Sequence, residues 1–529
     1  MVNISGETSV GQAKLLEFMG RPEAYDPSPA TVERILTHAS VVFLAGDFAY
    51  KVKRAVRYPF LDFSTVEQRH AACLNELRIN TRTAPRLYLE VVPISINGDG
   101  TFRLRGEGNV VEWALVMRRF DQDGLYDRMA AEGRLPVEAM GKLAAVIAAF
   151  HDRADRCLTQ DQAVLPLEGV ILEHEAVLAA SADMFPSEAS HDLVSRTREA
   201  FSSLAPLLRE RARGGYVRHC HGDLHLRNIV EISGAPVLFD ALEFDDRLAT
   251  IDVLYDLAFL LMDLGKRGLI GHANAVLNTY LDVDGGSANL LGLATLPLFL
   301  SLRAMIRAKV EALRAEKTAG DDARVTRKDA QSARENARDY FDLAGTFLAP
   351  ARAHLVAIGG LSGSGKSVVA RAIAPEIGPF PGAVIVRSDV ERKRLFGVAQ
   401  DETLPQRAYA PHVSAQVYAM CRKRAALALA AGRSVIVDAV HATPEERDAV
   451  AVLAATHGAS FTGLWLDAPL DVTRARVAKR QGDVSDATPA VVETQAGYDL
   501  GVLTFDRIDG SLDGDKVAAL CMARIAAKT

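Results

Sequence analysis

From residue 41 onward apolar and polar positions alternate in short runs. "VVFLAGDFAYKVKRAV" (41–56) reads as two strands joined at Gly46-Asp47, and "VVPISINGDGTFRLR" (91–105) as a second hairpin around Asn97-Gly98. Between them, "STVEQRHAACLNELRINTRT" (64–83) opens on Ser64 with Glu67 three residues later, which predicts a capping box and a helix. Strand, strand, helix, strand, strand is an α+β order. From about 136 to 213, and again beyond a polar stretch at 219–247 to about 348, apolar residues recur at helical spacing. The charged run 314–341 reads as a solvated helix or linker. At 353 the pattern changes to strand, loop and helix in alternation, as a parallel α/β domain requires. A boundary near 345–352 therefore predicts two domains. The first is 1–345, β-rich at about 30–120 and helical at about 121–345; the second is 350–529.

A chain of 529 residues exceeds one hydrophobic core, and 49% hydrophobic with 24% charged residues is globular composition. The net charge of −6 over this length predicts no nucleic-acid and no membrane partner. Five cysteines, odd in number and never in a C-x-x-C pair, predict neither a disulfide framework nor a zinc site. The first residues lack the basic-then-apolar order of a signal peptide, and apolar runs such as 290–302 are shorter than a bilayer span. A cytoplasmic setting is expected; the oligomeric state is left open.

The most specific motif is "GLSGSGKS", Gly360 to Ser367, which fits G-x-x-x-x-G-K-[ST] between an apolar strand and a helix. Backbone amides of Gly360, Ser362, Gly363, Ser364 and Gly365 are placed to cradle phosphates, Lys366 to reach the β- and γ-phosphates, and Ser367 to hold Mg²⁺. Two further strands end at Asp389 and at Asp438, at the carboxyl edge where parallel sheets bind ligands. Asp389 could take a proton from an acceptor hydroxyl, and Asp438 could hold the Mg²⁺ shell. Arg474, Arg476 and Arg480 lie on one helix, the last two a turn apart, as a lid over the transferring group or as a solvated face. With "RSDVERKRLFG", "VIVDAVHATPEER" and "GDVSDAT", this region (353–500) resembles the P-loop, AAA-type small-molecule kinases related to zeta toxins and gluconate kinases. The resemblance implies ATP-dependent phosphorylation of small hydroxylated metabolites or nucleotide sugars, with Asp389 as base and Arg476 and Arg480 as lid arginines.

"HCHGDLHLRNIV" (219–230) gives the first domain its chemistry. Phosphoryl transfer of the protein-kinase type needs a carboxylate to orient the acceptor hydroxyl and, five residues on, an asparagine for Mg²⁺; Asp223 and Asn228 have that spacing. His221 precedes Asp223 by two, and Asp240 ends the following strand, where a second metal-binding carboxylate would stand. A transition-metal site of His219, His221 and His225 is the competing reading. H-G-D-x-H-x-x-N, Asp240 and "IDVLYDLAFLL" (251–261) together resemble the aminoglycoside phosphotransferase-like kinases. There Asp256 is either a helix cap, a loop anchor or a catalytic group. "AYKVK" resembles kinase strand three, which implies that Lys51 pairs ATP phosphates and Glu76 orients it, with Lys53 as rival. Met117 to Arg119 are implied as the adenine hinge. No G-x-G-x-x-G precedes Lys51, so the phosphate grip must come from somewhere like Ser40.

The two resemblances imply a bilobal protein-kinase-like fold followed by a P-loop NTPase sheet with helices on both faces. They imply two ATP/Mg²⁺ sites acting on small-molecule acceptors. A single active kinase regulated by a nucleotide-sensing domain, and a non-catalytic ATP-dependent switch, are the alternatives.

Overall fold

The computed structural model describes residues 6–37, 39–58, 61–319, 327–479 and 484–528. The chain forms two compact units: Met1–Leu135, Ala149–Cys157 and Tyr216–Asp256 make one, and Pro136–Ala148, Leu158–Gly215 and Leu257–Thr529 the other.

In the first unit the elements are α1 (Gly6–Met19), β1 (Val32–Leu36), β2 (Ser40–Ala45), β3 (Phe48–Lys53), α2 (Val66–Asn80), β4 (Tyr88–Ile96), β5 (Phe102–Leu104) and β6 (Asn109–Arg118). The strands form one antiparallel sheet in the order β1-β2-β3-β6-β4-β5. Both expected hairpins are present, the first with Ala45 opposite Phe48 across the two-residue turn. Period-two alternation sends Val41, Phe43, Tyr50 and Val52 to a core closed by Leu15 and Met19 of α1. The same alternation points Lys51 and Lys53 to the opposite face. The capping box is one residue later than expected. Thr65 is the N-cap and Gln68 closes the box, because the Ser64 hydroxyl is taken by Asp62 Oδ1 at 2.6 Å. Further on, Val217–His219 pairs with Thr250–Asp252, and a hairpin of β7 (Ile229–Ile232) and β8 (Ala235–Leu238) carries the motif residues at its ends.

In the second unit, α3 (Ile270–Asp284), α4 (Leu296–Ala319) and α5 (Arg327–Phe347) precede a parallel α/β domain. Its elements are β9 (His354–Gly359), α6 (Lys366–Ile373), β10 (Val384–Arg387), α7 (Ser388–Phe396), α8 (Pro411–Ala430), β11 (Val435–Asp438), α9 (Pro444–Thr456), β12 (Ser460–Asp467), α10 (Leu470–Ala478), β13 (Asp506–Asp509) and α11 (Gly514–Ala526). The sheet order is β10-β11-β9-β12-β13, every pair parallel. Val356, Ile358, Ile436 and Leu464 pack under α6 and α11, while the alternate positions Leu355, Ala357 and Val437 are buried beneath α8 and α9. Near-continuous apolar strands are what a sheet covered on both faces demands.

The expectation that no apolar run reaches bilayer length is corrected in one place. The helical stretch Ser287–Glu316 is long and apolar enough by length and composition, because the 290–302 run continues into a helix; 78% of its apolar window is buried inside the protein. All five cysteines are free thiols.

Candidate functional site

Two sites emerge, one in each unit. In the first, Lys51 Nζ on β3 stands 2.7 Å from Glu76 Oε1 on α2 and 2.9 Å from Asp240 Oδ1 beyond β8. Lys53, two residues on and on the same face, reaches Glu76 Oε2 at 2.5 Å and Glu243 Oε1 at 2.7 Å. Both lysines share Glu76, and Lys51 is the one beside Asp240. Burial pulls the Lys51 ammonium down, but Asp240, Glu76 and Glu243 outweigh it and hold it well above the usual lysine range. Burial likewise opposes ionisation of Glu76, and the two ammonium groups reverse that, keeping its carboxyl below the ordinary glutamate range. Glu243 is pushed up, burial outweighing Lys53.

Asn228 Nδ2 donates to Asp223 Oδ2 and to Asp223 O, both at 2.9 Å, which joins the two motif residues and leaves the Asn228 carbonyl oxygen for a cation. Asp256 Oδ1 accepts from Gly222 N at 2.8 Å and its Oδ2 from His221 N at 3.1 Å, with His151 Nε2 at 3.1 Å. Fully buried, Asp256 anchors the loop that presents Asp223. Asp240 has φ +56°, a left-handed conformation that costs a non-glycine residue of order 1 kcal/mol. Neighbours hold it there: Tyr88 Oη accepts from Asp240 N at 3.1 Å, and Asn80 Oδ1 from Ala241 N at 2.8 Å.

The three motif histidines engage three separate partners: His219 faces Asp246, His221 Nε2 lies 3.0 Å from Phe239 O, and His225 Nε2 lies 3.3 Å from Asp223 Oδ2. They do not converge on one point. Among the described residues, the three side chains whose donor atoms lie close enough together to share a metal ion are His151, Cys220 and Asp256. There Asp256 already serves two amides, and burial holds the Cys220 thiol well above its usual range, so it stays protonated.

A cleft of about 460 Å³ opens over these groups, with Val42, Leu44, Ala49 and Met117 as apolar wall and Lys51, Asp223 and Asp240 as polar floor. At its rim Thr37 and Ser40 exchange hydrogen bonds of 2.9 Å, closing the β1–β2 turn without glycine. Arg119 N donates to Asp47 O at 2.8 Å and its guanidinium pairs with Glu33.

The second site lies at the carboxyl edge of the parallel sheet. Gly360, Gly363 and Gly365 adopt φ of +138°, +85° and +98°; a Cβ at Gly360 would stand 2.6 Å from Leu466 O, and at Gly363 2.6 Å from Thr473 O. Both clashes are with backbone, so the loop requires glycine there. Ser362 N donates to Gln495 Oε1 at 2.8 Å, and Ser364 is buried. Lys366 Nζ folds over the loop onto Gly360 O and Leu361 O, at 2.8 and 3.0 Å. Ser367 Oγ donates to Asp438 Oδ2 at 2.6 Å and accepts from Arg387 Nη2 at 3.2 Å. The strand expected to end at Asp389 ends at Arg387, and Asp389 lies in the first turn of α7, which opens at Ser388; burial and then the Asp438 charge raise its carboxyl pKa, against Arg387. Arg476 donates to Gly510 O at 2.7 Å, and Arg474 pairs with exposed Glu493. Arg480 lies outside the described residues.

Glu243, Arg387 and Gln495 were missed by the sequence reading. Two same-face lysines on β3 asked for a second carboxylate, which could have pointed to Glu243; Gln495 carried no signal.

Residues 355–498 match the model of the AAA domain family. An uncharacterized protein of Mycobacterium tuberculosis is 32% identical over 496 residues, covering 90% of this chain and 93% of its own. The choline/ethanolamine kinase family protein from Mesorhizobium loti is 16% identical over 63% of this chain and 98% of its own, with a TM-score of 0.39. The APS kinase of Mycobacterium tuberculosis, in complex with AMPPNP and APS, is 22% identical over 34% of this chain and 99% of its own, with a TM-score of 0.26.

Proposed function

The chain belongs to the family of the mycobacterial protein that it matches over 90% of its length, and on that premise we propose that it is an ATP-dependent phosphotransferase with two sites, each serving a small hydroxylated metabolite. The observation that carries this reading is Lys51 bridging Glu76 and Asp240, above an Asp223 joined to Asn228. A buried ammonium held beside carboxylates suits an anion that arrives with a divalent cation: Asp240 and Asn228 would hold the cation, which would free the lysine to turn to phosphate oxygens.

The donor sets fit Mg²⁺. Asn228 and Asp240 in the first site, and Ser367 and Asp438 in the second, offer hard oxygens without thiolate. Bound Mg²⁺ supplies neutralisation of the phosphate charge. The remaining work is done by the chain. Asp223 takes the acceptor hydroxyl proton while that oxygen bonds the γ-phosphorus and the bond to ADP breaks. Lys51 orients the phosphates. At the second site the amides from Gly360 to Ser367 cradle the phosphates, Lys366 leaves the loop carbonyls for the β- and γ-oxygens, and Asp389 accepts the proton. Its raised carboxyl pKa suits a group that must bind a proton during turnover. Arg476, with Arg480, closes over the transferring group. The protein works in the cytoplasm, in keeping with five free thiols.

One observation favours the narrower reading of one active kinase with a nucleotide-sensing partner site. The β1–β2 turn is closed by Thr37 and Ser40 and has no glycine to bring its backbone against phosphate. A single experiment tests both. The unmodified chain, Lys366→Ala and Asp223→Ala are each incubated with γ-labelled ATP, Mg²⁺ and a metabolite extract. Two distinct labelled products, one lost in each variant, support the bifunctional reading. One product supports the narrower reading, and no labelled product with intact protein overturns both.

A further inference from the structure

The helical stretch after Asp256 carried no chemistry in the sequence, yet within the second unit α3 lies along the outer edge of the parallel sheet. β10 is an edge strand, paired with β11 on one side, and an uncovered edge leaves amides and carbonyls without partners. α3 supplies them with side chains. Asn278 Oδ1 accepts from Ile385 N at 2.7 Å, Asn274 and Asn278 each donate to Ala383 O at 3.1 Å, and Asn274 also donates to Pro381 O at 3.0 Å.

At the other end of α3 the donors come from the α/β domain. The helix stops at Gly285, which is left-handed at φ +64°. Arg424 on α8 donates to Leu281 O at 3.3 Å and Gly285 O at 3.0 Å, and Arg394 on α7 donates to Asp282 O at 3.0 Å. The last carbonyls of a helix have no intrahelical donors and carry partial negative charge, so guanidinium groups are well placed there. Glu391, 1% exposed, locks the pair: it is bonded to Arg394 Nη1 and lies 3.0 Å from Arg424 Nε. Glu391 and Arg394 belong to α7, whose first turn carries Asp389, and β10 runs directly into that turn. Both anchors of the strand and helix that aim Asp389 therefore sit on α3.

We propose that α3, although outside the P-loop segment, is a positioning element of the second phosphotransferase site, with Asn278, Glu391, Arg394 and Arg424 fixing the direction of Asp389. This rests on the reading of Asp389 as proton acceptor. Phosphate binding is assigned to a different part of the sheet, the β9–α6 loop, so the two functions should separate.

The test uses the full chain carrying Asp223→Ala to silence the first site, with ATP turnover and ATP affinity measured at the second. Arg424→Met and Asn278→Ala should each lower kcat about tenfold or more, since small misplacements of a reacting group are costly, with Kd for ATP unchanged within about twofold. Arg424→Lys, which keeps a charged donor, should recover part of the loss. Unchanged kcat, or ATP affinity falling in step with kcat, overturns the proposal. Amide hydrogen exchange reads positioning without activity: in Arg424→Met, segment 384–396 should exchange about tenfold faster while 354–373 keeps its protection. Equal acceleration of both segments, or of neither, overturns it. If the Asp223→Ala parent shows no Lys366-dependent turnover, the functional reading falls, and the exchange result still judges the positioning of α7.

Discussion

Lys51 Nζ lies 2.9 Å from the carboxylate of Asp240, a residue 189 positions away that holds a left-handed backbone conformation to reach it. Removing the ammonium leaves Glu76 buried beside Lys53 alone and Asp240 without its cation. With the second site silenced by Lys366→Ala, Lys51→Met should lower ATP turnover by about 10²-fold, the usual scale for a preorganised charge at a transferring phosphoryl group. Turnover within about twofold of the Lys366→Ala parent counts against the assignment of Lys51.

Asp438 accepts from Ser367 at 2.6 Å and faces Arg387. If these oxygens hold Mg²⁺, Asp438→Asn should raise the Mg²⁺ concentration for half-maximal turnover about tenfold in the Asp223→Ala background, with less effect at saturating Mg²⁺. A Mg²⁺ dependence identical to that of the parent excludes Asp438 from the metal shell.

Gly363 combines φ +85° with Thr473 O only 2.6 Å from where a Cβ would stand. Gly363→Ala should cost about 1–3 kcal/mol of stability and distort the loop. Calorimetric titration with a non-hydrolysable ATP analogue should fall from two sites per chain to one. Retention of two sites, or a starting stoichiometry of one, contradicts the two-site reading.

His174, buried in the second unit, has its pKa lowered to about 3 by burial and then by Lys309. Its folded value lies below its unfolded one, so its stabilising contribution is present above 6.5 and is lost as pH falls toward 3. Relative to His174→Gln, which cannot titrate, the unmodified chain should lose up to about 1.4 kcal/mol per pH unit across that window. Denaturant titrations at pH 7, 5.5 and 4.5 measure it. Parallel pH profiles of the two proteins refute it.

The amino-acid order by itself placed the two hairpins, the long helices, the parallel α/β region and the motif residues from Gly360 to Ser367 and from His219 to Asn228. These signals act within a few residues: a turn needs glycine where φ is positive, as at Gly46 and, two residues past the expected Asn97-Gly98, at Gly100, a phosphate loop needs it likewise, and a strand needs alternation. The helix cap was legible only to within one residue, because two overlapping frames offered a hydroxyl and Asp62 decided between them. Only the tertiary structure decided that Lys51 rather than Lys53 meets Asp240, that Glu243 balances the second lysine, and that Asp256 anchors the loop before Asp223. It alone brought α3 to β10, so that Asn278 and Arg424 act on a strand and helix more than a hundred positions away. Charge pairs and edge contacts depend on distance in space, and many sequence partners of the right charge satisfy the same local pattern, so folding has to choose among them.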